Sequence, residues 1–184
     1  ANGDFFLGFG INCTPNNVRS KAKVQNIDYL IDQGKLLWDQ RLDSLALDKA
    51  EHFINLAHKQ RKNDFELSVL YSQISFTRAY FFEEDHQKQD SLFLQGSQSC
   101  QKAVMSHEDF IPIYILSKGD SSFKLLSAIA DAPLSIVPGL YWWAVNLGMY
   151  LNNQPVLARI KQRELLEVIM HRVISLDPGF NFSG

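Results

Sequence analysis

Apolar residues recur at three- and four-residue steps along most of this chain, which is the period of amphipathic α-helices rather than of strands. Val24, Ile27, Leu30, Ile31, Gly34, Leu37, Trp38 and Leu42 make the first such stripe. Asp43-Ser44 then supplies a capping signal for a second helix striped by Leu47, Ala50, Phe53, Ile54 and Ala57, with the basic tail His58-Lys59-Gln60-Arg61-Lys62 where the helix dipole favours cations. A third helix follows Asn63-Asp64 and runs through Leu67, Leu70, Tyr71, Ile74 and Arg78 to Tyr80-Phe81-Phe82. The acidic run Glu83-Glu84-Asp85-His86 reads as a solvated turn, and Asp90-Ser91 as the start of a fourth helix bearing Leu92, Gly96, Ser99, Cys100 and Ala103. Between Asp109 and Leu116 the chain is apolar but broken by Pro112, and Ser121-Ser122 caps a helix with Phe123, Leu126, Ile129 and Ala130. Pro138 opens an apolar helix that stops at Asn152-Asn153-Gln154-Pro155. The last helix takes Val156, Ile160, Leu165, Leu166, Ile169, Met170, Val173 and Ile174, and ends at Leu176-Asp177-Pro178-Gly179.

Paired helices separated by short turns raise the question of a repeat. Tetratricopeptide repeats have a period of about 34 residues and set a small residue, a larger one four positions on, and another three further along their second helix. Ala50, Ile54 and Ala57 fit that spacing, as do Gly96, Cys100 and Ala103, and then Leu166, Met170 and Val173 ahead of Asp177-Pro178. The copies lie further apart than the standard period, so the array is degenerate. The expected architecture is all-α: stacked antiparallel helix hairpins resembling degenerate tetratricopeptide repeats, an α-α superhelix, forming a single domain over residues 24–184. Residues 1–23 read as an N-terminal arm.

The helix from Pro138 carries the strongest candidate chemistry. Successive helical residues turn by about 100°, so Tyr141, Trp142 and Trp143 sweep more than half of the perimeter and cannot all enter one core. One reading places the extra rings against the next helical layer. The other makes them, with Asn146, the wall of a surface or pore suited to an apolar ligand, with Tyr80 and Phe81 as further members.

Bulk composition narrows the function classes. Eighteen Lys and Arg against 20 Asp and Glu give a net charge of −2, without the basic excess that nucleic-acid backbones demand. The five histidines show no metalloprotease spacing, the two cysteines fit no zinc pattern, and Gly8-x-Gly10 stands alone without a preceding strand. No catalytic constellation emerges, and neither an enzyme nor a cofactor is expected. In the N-terminal arm, Phe5-Phe6-Leu7-Gly8-Phe9-Gly10-Ile11-Asn12-Cys13 followed by Thr14-Pro15-Asn16-Asn17 resembles a bacterial lipoprotein processing site with Cys13 as the acylated residue. The alternative is an ordered arm packed on the domain, with Cys13 free or paired to Cys100.

Leu37-Trp38-x-x-Arg41, Arg78-Ala79-Tyr80-Phe81, Leu140-Tyr141-Trp142-Trp143-Ala144-x-Asn146-Leu147-Gly148 and Leu176-Asp177-Pro178 together resemble the T component family associated with tripartite ATP-independent periplasmic (TRAP) transporters. The resemblance spans about Ile27 to the end. It implies a periplasmic, often lipid-anchored, helical protein that binds a periplasmic solute-binding protein and forms a homotrimer with pores suited to an apolar ligand. It also implies further helices after Leu176-Asp177-Pro178, so the chain reads as cut short. The alternatives are a general protein-interaction scaffold without a ligand path and a stand-alone carrier of an apolar molecule.

Overall fold

The computed structural model describes residues 16–183, with side chains over residues 26–181, so the Cys13 assignment lies outside the described residues. The fold is all-α. Its helices are α1 (Asn16–Trp38), α2 (Ser44–Gln60), α3 (Phe65–Phe81), α4 (His86–Met105), α5 (Ile111–Leu116), α6 (Ser121–Ala130), α7 (Val137–Asn152) and α8 (Val156–Leu176), with 3-10 turns at Leu134–Ile136 and Phe180–Ser183.

Aspartates punctuate this chain. Asp43, Asp64, Asp85 and Asp120 each stand at an N-cap and accept hydrogen bonds from backbone N–H groups of the following turn, satisfying donors that a helix start leaves without intrahelical partners. The expected boundaries at Asp43 and Asp64 hold. The fourth helix begins earlier than its pattern predicts, because Asp85 in the supposed turn is the cap, with its Oδ1 2.9 Å from Gln87 N. Asp90 is instead drawn into tertiary contact: it accepts from Asn153 Nδ2 at 2.8 Å and from Gln154 Nε2 at 3.3 Å, across at the end of α7. Leu42 also departs from expectation, since α1 stops at Trp38 and Leu42 is exposed in the turn that follows.

Helix neighbours follow chain order: α1 lies on α2, α2 on α3, α3 on α4, α4 on α7 and α7 on α8, while α3 also touches α7 and α6 touches α8. Side-chain pairs give the directions. Arg78 near the end of α3 pairs with Asp48 near the start of α2, and His58 near the end of α2 reaches Ser68 near the start of α3 at 3.3 Å. Asp90 and Asn153 join the start of α4 to the end of α7. Both pairs of helices therefore run antiparallel. The α5–α6 segment interrupts this succession, and α5 buries no residue completely.

Two hydrophobic clusters meet across α3. Leu67, Leu70 and Ile74 join Ile27, Leu30, Leu47, Ala50, Ile54 and Ala57 of α1 and α2. Val69 belongs to the other cluster, which α4, α6, α7 and α8 fill with Val104, Ile129, Leu140, Trp143 and Ile169 among others. The expected stripe of α8 divides: Ile169 and Val173 are buried, whereas Val156, Ile160 and Ile174 face solvent. Periodicity marks an apolar face but not whether a neighbour covers it.

Close helix approach depends on Gly96. A Cβ there would lie 2.9 Å from Asn146 Oδ1, and the Asn146 amide is held by hydrogen bonds and cannot yield. At Gly148, also helical, a Cβ would meet nothing within 4 Å. Gly96→Ala should lower the melting temperature, because overpacking costs about 1–3 kcal/mol and outweighs the gain in helix propensity of up to about 1 kcal/mol. Gly148→Ala should raise it through propensity alone. Thermal unfolding of the two variants beside the parent chain checks both signs.

Candidate functional site

The rings of α7 are placed by tertiary packing. Trp142 turns toward α3, and aromatic contacts run from it in both directions. Phe81 meets Tyr80 at 4.9 Å between centroids, Tyr80 meets Phe76 at 5.5 Å, and Phe76 meets Trp142 edge-on at 5.6 Å. Trp142 then meets Tyr141 at 5.3 Å, and Tyr141 meets Phe180 at 5.2 Å. The Tyr141 hydroxyl accepts from Asn181 Nδ2 at 2.8 Å. Four of the sequence candidates thus belong to one row of rings, with Phe76 as the link that sequence reasoning missed. Its position four residues before Tyr80 was the available signal.

This row is not an open wall. Tyr141 and Trp142 are buried, while Tyr80 and Phe81 at its far end are exposed. Trp143 points elsewhere, into the cluster shared with α4 and α8, and is only 1% exposed. Asn146 is fully buried and joins neither group. Its Nδ2 donates to the Ser72 hydroxyl at 2.9 Å, to the Ser72 carbonyl at 3.3 Å and to the Trp142 carbonyl at 3.0 Å. Its Oδ1 has no hydrogen-bond partner and sits over Gly96. In the single chain these four residues serve interhelical contacts, and the candidates do not line one common surface.

Two open grooves flank α7. The first, about 640 Å³, crosses from the end of α1 over the first half of α3 to the start of α7. Trp38, Phe65, Val69, Leu70 and Pro138 supply its apolar lining, and Lys35, Asp64, Glu66, Gln73 and His107 its polar one. The Trp38 ring is itself covered on one side by the Arg41 guanidinium, 4.7 Å from its centroid. The second groove, about 340 Å³, lies between α4, α7 and α8 and is the one that Trp143 borders. No group of three or more His, Cys, Asp or Glu side chains suited to a metal occurs among the described residues. No single helix among them is long and apolar enough to cross a membrane.

A polar junction ties α2, α3 and α4 together. The His58 ring stacks on Tyr71 with centroids 4.5 Å apart, and its Nε2 lies 3.0 Å from Ser99 Oγ and 3.3 Å from Ser68 Oγ. Beside it Cys100 is a free thiol, fully buried, and burial pushes its pKa up to about 12; such a thiol is a packing group rather than a nucleophile. Burial, followed by the charges of Lys102 and Lys62, holds His58 below its ordinary value of 6.5, with Asp64 opposing.

The sign of the resulting pH dependence follows from proton linkage. Well above the unfolded-state value the imidazole is neutral in both states and adds no pH dependence. As pH falls through that value, the unfolded chain binds a proton that the folded chain refuses, so stability declines until the lowered folded-state value is passed. Denaturation midpoints measured from about pH 7 down to about pH 5 should therefore fall more for the parent chain than for His58→Gln.

No protein-family model matches this chain, and no curated protein does so either.

Proposed function

We propose that this chain is an accessory protein whose helical stack docks a partner protein through the groove across α1, α3 and the start of α7. The observation that carries this reading is the groove's make-up: an apolar lining with Trp38 and Phe65 beside exposed charges on both sides, Lys35 from α1 and Glu66 from α3. Interfaces combine such an apolar centre with a polar rim that sets orientation and encounter rate. The T component resemblance supplies the specific form of the proposal: a periplasmic, lipid-anchored accessory of a TRAP-type system that docks a solute-binding protein, assembles as a homotrimer and shelters that partner's apolar ligand.

The burial of Tyr141 and Trp142 favours a second reading, a protein-interaction scaffold without a ligand path. The two readings share the docking groove and differ in what passes beyond it.

Native mass spectrometry of the chain with the solute-binding protein encoded nearest to it tests the docking reading. A defined complex is expected, and Lys35→Glu or Glu66→Arg should weaken it by roughly tenfold or more without moving the melting temperature, since both side chains are exposed. A complex indifferent to both charge reversals would place the docking face elsewhere, and no complex at all would end the TRAP reading. Trp142→Ala should instead act through the fold, destabilising the chain by about 3–5 kcal/mol in thermal or chemical unfolding.

A further inference from the structure

The groove across α1 and α3 continues past Lys35 toward the middle of α1. Lys35, Asp64 and Glu66 line it and also line a further depression of about 260 Å³, which Asp28, Ile31, Asp32, Arg61 and Leu67 complete. Together they form one trough beside residues 28–38 of α1, which is about 15 Å at 1.5 Å per residue, or about three turns of a helix. Its apolar side chains run from Ile31 and Leu67 at one end to Trp38, Phe65 and Pro138 at the other.

Its charges divide unevenly. Asp28 and Arg61 form an ion pair at 2.7 Å and cancel. What remains is Asp32, Asp64 and Glu66 against Lys35. Asp32 and Glu66 are exposed, and neither is in an ion pair among the described residues. Asp64 caps α3 from the same rim. A rim with this balance disfavours phosphate backbones and anionic lipid surfaces and attracts a protein segment with more basic than acidic side chains.

Backbone chemistry selects the form of that segment. An extended chain exposes an N–H and a C=O at each residue and binds where a sheet edge or a row of polar side chains can meet them. The trough walls are helices, whose backbone groups are paired along their own lengths. Neutral polar side chains are few. Ser135 donates to the Asp109 carboxylate and His107 Nδ1 accepts from the Asp109 N–H, which leaves Gln73. A helix brings its own hydrogen bonds and presents only an apolar ridge with charged flanks, which this lining can satisfy.

We propose that the trough takes an amphipathic helix of a partner protein, about three turns long. Its apolar ridge lies against Ile31, Leu67, Trp38 and Phe65, its basic side chains meet Asp32 and Glu66, and an acidic one meets Lys35. This rests on the docking reading and goes beyond it in naming the partner's element and its charge pattern.

Fluorescence anisotropy with labelled synthetic peptides tests the assignment. The parent peptide is an amphipathic helix of about three turns with a leucine ridge, lysines on one flank and a glutamate on the other. A second peptide reverses every charge, and a third carries a proline at its centre. The parent peptide should bind saturably, one per chain, and gain helical circular dichroism on binding. The charge-reversed peptide should bind at least about tenfold more weakly, and the proline peptide should not bind measurably, because the helix is broken. Asp32→Lys should weaken the parent peptide about tenfold, while Glu164→Lys, at an exposed acid on α8, should leave it unchanged. Both substituted residues are exposed, so both variants should keep the melting temperature of the parent chain. No saturable binding, equal binding of the charge-reversed peptide or a Kd untouched by Asp32→Lys would overturn the proposal, and undiminished binding of the proline peptide would overturn its helical form. A chain that ignores the peptides but forms a solute-binding-protein complex weakened by Glu66→Arg keeps the docking reading and loses this one. Peptide binding that depends on Asp32, without any such complex, keeps the helix assignment and ends the TRAP reading.

Discussion

The Asn146 amide sits where α3, α4 and α7 meet, three of the helices that line the two grooves. Its Nδ2 binds the backbone and hydroxyl of Ser72 on α3 and the Trp142 carbonyl of its own helix, while its Oδ1 lies against Gly96 of α4. A buried amide bonded in this way specifies one register, because sliding either neighbour would leave polar groups unpaired in an apolar surrounding. Gly96 is the counterpart: the absence of a side chain there lets the α4 backbone come close enough to cover the amide. With the register fixed, Trp142 meets Phe76 of α3 on one flank of α7, with Tyr141 beside it against Phe180, and Trp143 enters the cluster with α4 and α8 on the other.

That division explains why an unusually aromatic helix yields two modest grooves rather than one wide wall. Rings on both sides of α7 are covered, Trp142 by Phe76 of α3, Tyr141 by Phe180 and Trp143 by the cluster with α4 and α8. Open space borders α7 at its start, against α1 and α3, and between α4 and α8. The first space presents opposite charges around an apolar lining, which suits a protein surface. The second is lined by leucines, three glutamine amides and Lys161.

Much of the fold is legible in the sequence because helix caps and apolar stripes are local. Asp43 and Asp64 announce α2 and α3, and Pro138 and Pro155 stand at the starts of α7 and α8. Asp85 shows where local reading stops. It and Asp90 look equally able to cap, and what separates them is the claim of Asn153 and Gln154 on Asp90 from the far end of α7. The site was less legible for the same reason. That three adjacent aromatics must face more than one neighbour follows from helical geometry, but which neighbours they meet depends on long-range contacts with Phe76, Phe180 and α4.

A double-mutant cycle between Asn146→Ala and Gly96→Ala tests the junction most directly. If Asn146 is what Gly96 makes room for, adding a methyl group at position 96 should cost markedly less once the amide is gone, giving a coupling energy of about 0.5–3 kcal/mol. Strictly additive effects in chemical denaturation would contradict the account, because the register of α3, α4 and α7 would then rest on some other contact.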